Sequence, residues 1–240
     1  MPSPARARAQ EAGPAQQTIL LGRHAFTACS SGALYWANER LLIVADLHME
    51  KGSAFASRGQ LLPPYDTRET LSRLADTMTL HRPRTVIALG DSFHDAGSWA
   101  RLSAADARTI ADLQRGRRWI WVRGNHDPQP AIGLQGDVQD VVEIDGIVLR
   151  HEPSSDTTCP EIAGHLHPAA RLVWNGTSVR ARCFAASADR LVLPAFGAYT
   201  GSLNVLSEPF ATLFGVRPAM VIMLGRTGLY SVPPASLVGD

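Results

Sequence analysis

The sequence has few cysteines, no long hydrophobic run and almost no net charge, and each of these shortages excludes a class of protein. The 240 residues include three cysteines, Cys29, Cys159 and Cys183, whose odd number and wide spacing argue against a disulfide framework. No apolar run reaches the roughly 18 residues that a membrane-spanning helix needs. The net charge of +1 at pH 7 provides no overall field that would attract a polyanion. We therefore expect a reduced, cytoplasmic protein that does not enter a membrane.

Length and composition predict a single globular enzyme domain. A chain of 240 residues with 45% hydrophobic residues can bury one α/β core without a second domain. The first residues are rich in Ala, Pro, Arg and Gln and lack the apolar middle of a secretory signal. We expect a disordered tail over residues 1–16 and one domain over residues 17–240.

Residues that can bind metal follow five apolar runs, and this is the most informative pattern in the chain. The runs are residues 41–45, 85–89, 119–123, 146–150 and the shorter 161–163. The segments that follow them are Asp46-Leu47-His48, Gly90-Asp91, Gly124-Asn125-His126-Asp127, His151 and Gly164-His165-Leu166-His167. In an open α/β sheet, functional groups collect just beyond the carboxyl ends of the strands. Five such segments in one chain therefore predict an active site.

The residue types in these segments suit a pair of divalent cations. Two metals held about 3.5–4 Å apart need a carboxylate that bridges them and further ligands around each. Mixed imidazole and carboxylate or carbonyl ligands suit Mn, Fe or Zn, whereas Ca and Mg prefer oxygen alone. A glycine before a ligand, as at Gly90, Gly124 and Gly164, lets the backbone turn where a side chain would obstruct it.

The order D-x-H, G-D, G-N-H-D, H, G-H-x-H resembles the calcineurin-like metallophosphoesterase superfamily, over residues 46–167. The resemblance implies a four-layer αββα sandwich of the α/β class. It also implies two ligand sets joined by a bridge: Asp46, His48 and His167 for one metal, Asn125, His151 and His165 for the other, and Asp91 between them. By the same resemblance, His126 contacts the scissile phosphate and protonates the leaving oxygen, and Asp127 orients His126 or its loop.

The sequence departs from the family pattern at two places. The family often has an Asp three residues after the Asp of G-D, where this chain has His94, with Asp95 one place later. His151 is followed by Glu152 rather than by the common Gly. The roles of His94, Asp95 and the segment 196–200 stay open, as do those of Lys51, Arg58 and Arg123 as phosphate contacts.

Four shorter segments narrow the resemblance to one group. GDSFHD, RHEP, AGHLHP and LPAFGAYTGSLNV resemble the bacterial ligase-associated DNA-damage-response endonucleases. That group implies a phosphodiesterase acting on DNA, with a DNA ligase and a helicase as partners. The distinguishing segments carry no chemistry that can be derived from the residues themselves.

The expected function is phosphodiester hydrolysis by a metal-activated hydroxide, in a DNA endonuclease of DNA repair. We expect Mn²⁺ at both metal positions, with Fe or Zn as alternatives. Hydrolysis of a small phosphoester or pyrophosphate, such as a nucleotide or a lipid precursor, is a second hypothesis. A non-catalytic metal-binding scaffold for repair partners is the third and weakest, because every proposed ligand is present.

Local patterns predict several elements directly. Leu71, Leu74 and Met78 recur at helical spacing in a helix over residues 66–81, with Asp66 and Glu69 resembling a capping box. A second helix is expected over residues 103–115. Two hairpins are expected around the dipeptides Asp145-Gly146 and Asn175-Gly176, which favour type I′ turns.

Overall fold

Two β-sheets face each other, and helices cover the outer side of each, in a computed structural model that describes residues 13–60, 62–127, 134–156 and 158–240. This arrangement confirms the predicted αββα sandwich of the α/β class. Most of the predicted tail lies outside the described residues. Its last residues join the domain, since the carbonyl oxygen of Pro14 accepts a hydrogen bond from the Leu229 N–H at 2.9 Å.

The first sheet has seven strands in sequence order: β1 Gln16–Leu21, β2 His24–Cys29, β3 Leu34–Trp36, β4 Leu41–Ala45, β5 Thr85–Leu89, β6 Arg118–Val122 and β7 Asp137–Gln139. Strands β1 to β4 pair antiparallel, and β4 to β7 pair in parallel. The parallel half therefore directs the carboxyl ends of its strands to one edge.

The second sheet has nine strands: β8 Val141–Ile144, β9 Ile147–Arg150, β10 Glu161–Ala163, β11 Pro168–Trp174, β12 Thr177–Ala186, β13 Arg190–Val192, β14 Leu203–Asn204, β15 Met220–Gly225 and β16 Gly228–Val232. Their order is β14-β11-β12-β13-β10-β9-β8, with β15 paired to β12 and β16 to β15. Strands β9, β10 and β13 are parallel neighbours, so their carboxyl ends also lie at one edge.

The helices are α1 Lys51–Ala56, α2 Asp66–His81, α3 Ser98–Arg101, α4 Ala104–Gln114 and α5 Glu208–Phe214, with a 3₁₀ turn at Pro234–Ser236. Helices α2 and α4 cover the first sheet, burying Leu74 and Ile110 against strand residues such as Val86. Helix α5 covers the second sheet and buries Phe210. A third apolar cluster fills the space between the sheets. No helix within the described ranges is long and apolar enough to span a membrane.

The predicted helices and hairpins are present, but the predicted capping box is wrong. Helix α2 covers the predicted 66–81, yet its N-cap is Tyr65 and no side chain caps it. The Asp66 carboxylate instead accepts a hydrogen bond from the Gly52 N–H at 3.0 Å, which joins α2 to α1. A side-chain cap occurs at α4, where the Ser103 hydroxyl accepts from the Asp106 N–H at 3.0 Å.

The buried side of α2 provides a test of the packing. Leu74 is 1% exposed and Leu80, on the same helix, is 68% exposed. Leu74→Ala should lower the free energy of unfolding by about 2–5 kcal/mol, because it leaves a cavity under the helix layer. Leu80→Ala, as the matched control, should change it by about 0.5 kcal/mol or less. Urea unfolding of both variants measures the difference, and equal losses would contradict this packing.

Candidate metal centre

The proposed ligands meet where the carboxyl ends of strands from both sheets converge. Asp46 follows β4, Asp91 lies two residues beyond β5, and Asn125 lies three residues beyond β6. From the other sheet, His151 directly follows β9 and His165 comes two residues after β10. Each sheet thus supplies about half of one compact cluster.

Asp46, His48 and His167 form the first group. The Nε2 atom of His167 lies 3.3 Å from Oδ1 of Asp46 and 3.3 Å from Nε2 of His48. One ligand atom from each of the three residues falls within 4.8 Å of the other two. Asp46 is fully buried, with no exposed surface, so its charge has no access to water.

Asp91, His151, His165 and Asn125 form the second group. The Nε2 atom of His151 lies 2.9 Å from Oδ1 of Asn125 and 3.4 Å from Oδ1 of Asp91. The Nδ1 atom of His165 lies 3.0 Å from the same Asn125 oxygen. These atoms also converge on one point.

Asp91 lies between the two groups. While its Oδ1 atom faces His151, its Oδ2 atom lies 3.7 Å from Nε2 of His48 in the first group. The two oxygens of one buried carboxylate are therefore directed at both groups, which is the placement that a bridging ligand requires.

The donor atoms of the two groups are arranged to coordinate two cations, and hydrogen bonds among themselves cannot satisfy all of them. The facing imidazole nitrogens, 3.3 Å apart in one group and 3.2 Å in the other, can share at most one hydrogen. Among the described residues, Asp46 and Asp91 have no arginine or lysine within ion-pair distance. Buried charges without such partners are costly unless they coordinate metal. The mixed nitrogen and oxygen donors suit Mn, Fe or Zn.

The backbone at the centre adopts conformations that most residues avoid. Five of the seven proposed ligands have positive φ angles: Asp46, His48, Asp91, His165 and His167. Such left-handed residues are uncommon outside glycine and cluster at functional sites. This strain directs successive side chains of one loop toward the same point.

The glycines before the ligands are required mainly by close approach. A Cβ atom at Gly124 would lie 2.2 Å from both the backbone nitrogen and Oδ1 of Asp91, and one at Gly164 would lie 2.7 Å from Oδ2 of Asp46. Gly90 has a φ of +70°, and a Cβ there would lie 2.3 Å from Nδ1 of His151. Each glycine lets a proposed ligand from another segment pack against the segment to which the glycine belongs.

Gly124→Ala tests this packing. The added methyl group must separate the Gly124 turn from Asp91, and displacement of catalytic groups by about 1 Å can cost about 100-fold in rate. We expect a loss of that order in diester hydrolysis, with less manganese retained after dialysis. Gly201→Ala is the matched control, because a Cβ there meets nothing within 4 Å. Wild-type metal content and rate in Gly124→Ala would contradict the close approach.

His151 is held in one orientation by the strand beneath it. Its Nδ1 atom donates a hydrogen bond to the Leu89 carbonyl oxygen at 3.0 Å, which leaves Nε2 to face the second group. Burial opposes its charged form, but the hydrogen bond to Asp91 and the charges of Asp46 and Asp91 raise the pKa of His151 to about 9. Burial lowers the pKa of His48, so that ring is neutral at pH 7.

Metal binding should therefore release a proton. At pH 7 the metal-free protein holds a proton on Nε2 of His151, and a metal ligand must be deprotonated. We expect about one proton released at pH 7 and almost none above about pH 10, because the raised pKa lies between those values. Calorimetry of manganese binding in buffers of different ionisation enthalpy gives this number. The same heat in all buffers at pH 7 would contradict it.

His126 lies beside the first group, with its ring centroid 5.1 Å from that of His48. Its Nδ1 atom donates to the carbonyl oxygen of His94 at 2.9 Å, and its ring stacks on the His94 ring with centroids 5.4 Å apart. The His94 carbonyl oxygen is thus the group that accepts the Nδ1 hydrogen of His126 and orients its ring. One ligand atom each from His48, His94 and His126 also lies within 4.8 Å of the others, which forms a third group able to hold an ion.

Asp127 joins the loops that carry the ligands. Its carboxylate accepts hydrogen bonds from the backbone N–H groups of Ser92 at 2.8 Å, Phe93 at 3.1 Å and Gly124 at 3.2 Å. Burial and the charge of Asp91 raise the pKa of Asp127 to about 6, against the effect of these donors. Asp127 therefore fixes the Gly90-Asp91 turn to the Gly124 turn.

Sequence reasoning missed a pair of arginines that supports the centre. Arg182 donates to the carbonyl oxygens of Ala195 at 2.6 Å and Gly197 at 3.2 Å, and Arg73 donates to the carbonyl between them. The Gly197 N–H in turn donates to the Asp46 carbonyl oxygen at 3.0 Å. Burial and the charge of Arg73 lower the pKa of Arg182 to about 10. Segment 196–200, whose role the sequence leaves open, thus holds the turn that carries Asp46.

The other residues with open roles are placed as follows. Lys51 lies at the start of α1, where burial lowers its pKa, and its charge acts on His48 and His94. Asp95 is paired with Arg101 at 2.7 Å and not with the centre. Arg58 is exposed beyond the end of α1. Arg123 is considered with the groove below.

The chain belongs to the calcineurin-like phosphoesterase family, whose family model matches residues 39–177, more than half of the chain. The match confirms the resemblance found in the sequence and spans every proposed ligand. With the clusters of His and Asp side chains, it makes the protein a metal-dependent phosphoric ester hydrolase.

Among solved structures, the chain is similar to the nuclease MPE of Pseudomonas putida. The two are 28% identical, the alignment covers 90% of this chain and 100% of that chain, and the TM-score is 0.69. Yfce, a phosphoesterase from E. coli, is 13% identical with a TM-score of 0.40, over 81% of this chain and 98% of that one. A comparison with curated protein sequences gave no match.

Proposed function

We propose that the protein is a dinuclear metal-dependent phosphodiesterase that cleaves DNA. The observation that carries the proposal is the pair of ligand groups with Asp91 between them. Similarity to a nuclease over nearly the whole length of both chains favours a nucleic acid substrate. Manganese at both positions, a cytoplasmic setting, a role in DNA repair, and a DNA ligase and a helicase as partners are parts of the proposal that come from the sequence alone.

Each metal position has its own residues in this proposal. Asp46, His48 and His167 would hold one cation, Asn125, His151 and His165 would hold the other, and Asp91 would touch both. When bound, the two cations would supply Lewis acidity toward the phosphoryl oxygens and a hydroxide near neutral pH. The protein's own part is to fix these donors on rigid strand ends and to shield Asp46 and Asp91 from water.

His126 is proposed as the group that handles the proton of the leaving oxygen. Its Nδ1 hydrogen is committed to the His94 carbonyl, so Nε2 is the atom left to gain or lose a proton. The stacked His94 ring restricts the rotation of His126. A charged His126 can donate from Nε2 to an oxygen that departs from phosphorus.

His126→Ala separates proton transfer from metal binding. We expect its turnover of a diester to fall by about 100-fold or more, with manganese content close to wild type. His81→Ala is the matched control, since His81 contacts Cys29 and Tyr35 outside the cluster, and both quantities should stay unchanged. An equal loss of manganese and turnover in His126→Ala would make His126 a ligand.

The ester type tests the proposed reaction. In Mn²⁺ the wild-type protein should hydrolyse bis-p-nitrophenyl phosphate faster than p-nitrophenyl phosphate. Asp91→Ala should abolish both activities, because it removes the residue that faces both groups, while circular dichroism still reports a folded chain. Preference for the monoester would favour hydrolysis of a small phosphoester instead. Metal binding without hydrolysis of either ester would favour the scaffold hypothesis.

A further inference from the structure

A groove opens beside the second ligand group. We name it the Arg150 groove; it has a volume of 420 Å³ and is lined by Arg123, Asp140, Arg150 and Glu152 around the proposed ligands Asn125 and His151. Because two proposed ligands form part of its wall, the groove adjoins the position that an ester would take at the centre. A volume within about 300–1,000 Å³ is typical of sites for small molecules. The groove therefore has room for a unit of nucleotide size.

Arg150 contributes a positive charge that the protein does not cancel. Its Nε atom lies 3.4 Å from the buried carboxylate of Glu161. That carboxylate already has a counter-charge, since Arg190 lies 3.2 Å from it and is itself buried. The backbone N–H of Ser154 also donates to Glu161, at 3.0 Å. The three charged groups together carry one excess positive charge.

The excess charge is available at the groove. Arg150 has 32% of its side chain exposed, against 5% for Arg190, whose terminal nitrogens donate to the carbonyl oxygens of Leu213 and Ser154. The terminal nitrogens of Arg150 make no hydrogen bond to any residue that the structure describes. Arg150 is thus anchored through Nε by the ion pair with Glu161, and its terminal N–H groups are available to a ligand in the groove.

The other charges of the groove limit what it can accept. Arg123 is paired with Asp140 at 2.8 Å in a solvent-exposed ion pair, so its charge is largely balanced. Glu152, which follows His151 in sequence, adds a negative charge to the groove and also acts on His165. A run of phosphates would meet this carboxylate, whereas a single phosphate can contact Arg150 alone.

We propose that the Arg150 groove binds the nucleotide next to the scissile phosphodiester, and that Arg150 contacts the phosphate of that nucleotide. This inference rests on the proposed function, because it places the scissile phosphate at the metal centre. It assigns to the enzyme a preference for diesters that carry a second phosphate one nucleotide away.

Binding of small thymidine phosphates to the full-length, manganese-loaded protein tests the groove. By calorimetry, thymidine 3′,5′-bisphosphate should bind about tenfold more tightly than the better of the two monophosphates, as expected for one charge-assisted hydrogen bond. Arg150→Ala should remove this advantage, and Arg150→Lys, which keeps the charge, should retain part of it. Both variants should fold, because Arg190 remains as the partner of Glu161.

Arg217→Ala is the matched control. Arg217 is exposed and precedes β15, which runs parallel to β13, so it lies at the end of the second sheet opposite the metal centre. The control should keep the full bisphosphate advantage. No advantage in the wild-type protein, or an advantage that persists in Arg150→Ala, would overturn the assignment.

Hydrolysis of bis-p-nitrophenyl phosphate, which has no second phosphate, separates this inference from the proposed function. If the wild-type protein hydrolyses it but shows no bisphosphate advantage, the groove assignment alone is overturned. If the wild-type protein hydrolyses no diester, the proposed function and the groove assignment are both overturned.

Discussion

Two carboxylates buried at the ends of neighbouring parallel strands determine how the rest of this structure is built. Asp46 and Asp91 are at most 2% exposed, and within the described ranges only histidines lie close enough to pair with them. Burying such charges without compensation costs several kcal/mol per ion. The surrounding imidazoles can compensate for them only in part, so the arrangement is stable where cations occupy the space between the donors.

The strand ends have to be shaped to bring these donors together. Positive φ angles at Asp46, His48 and Asp91 cost energy. The backbone is held in place by bonds from outside the centre: the Asp127 carboxylate across two loops, and the Gly197 N–H on the Asp46 carbonyl. The half-buried Arg73 and Arg182 fix segment 195–197 in turn through hydrogen bonds to its carbonyl oxygens, so a substitution at either arginine acts on the ligands without touching them.

Much of the fold follows from local sequence patterns. Apolar runs predicted β4 and β5, and apolar residues at helical spacing predicted α2 and α4. The dipeptides Asp145-Gly146 and Asn175-Gly176 predicted two hairpins. Each of these patterns directly reflects burial or backbone preference. Strands β1 to β3 and β7 had no such signal, since their pairing depends on a sheet that other segments form. The capping box failed for a related reason: Asp66 bonds the N–H of Gly52, a residue distant in sequence, and not its own helix.

At the centre, the residue types at the strand ends predicted one cluster, because a metal site restricts chemistry and order together. The seven proposed ligands came from the family resemblance, and the structure brings their side chains close together. The supporting residues were not predictable in this way. An arginine that is half-buried and donates to backbone carbonyl oxygens, such as Arg182, has the same local sequence pattern as an exposed one. The excess charge at Arg150 likewise exists only because the Glu161 carboxylate is also paired with Arg190. Glu161 lies on β10 and Arg190 on β13, so this pairing could not be predicted from local sequence.

Anomalous diffraction from crystals grown with manganese tests the central claim most directly. The account predicts two peaks about 3.5–4 Å apart, one among Asp46, His48 and His167 and one among Asn125, His151 and His165, with Asp91 between them. A single peak would contradict it, as would a peak among His48, His94 and His126 in place of the second.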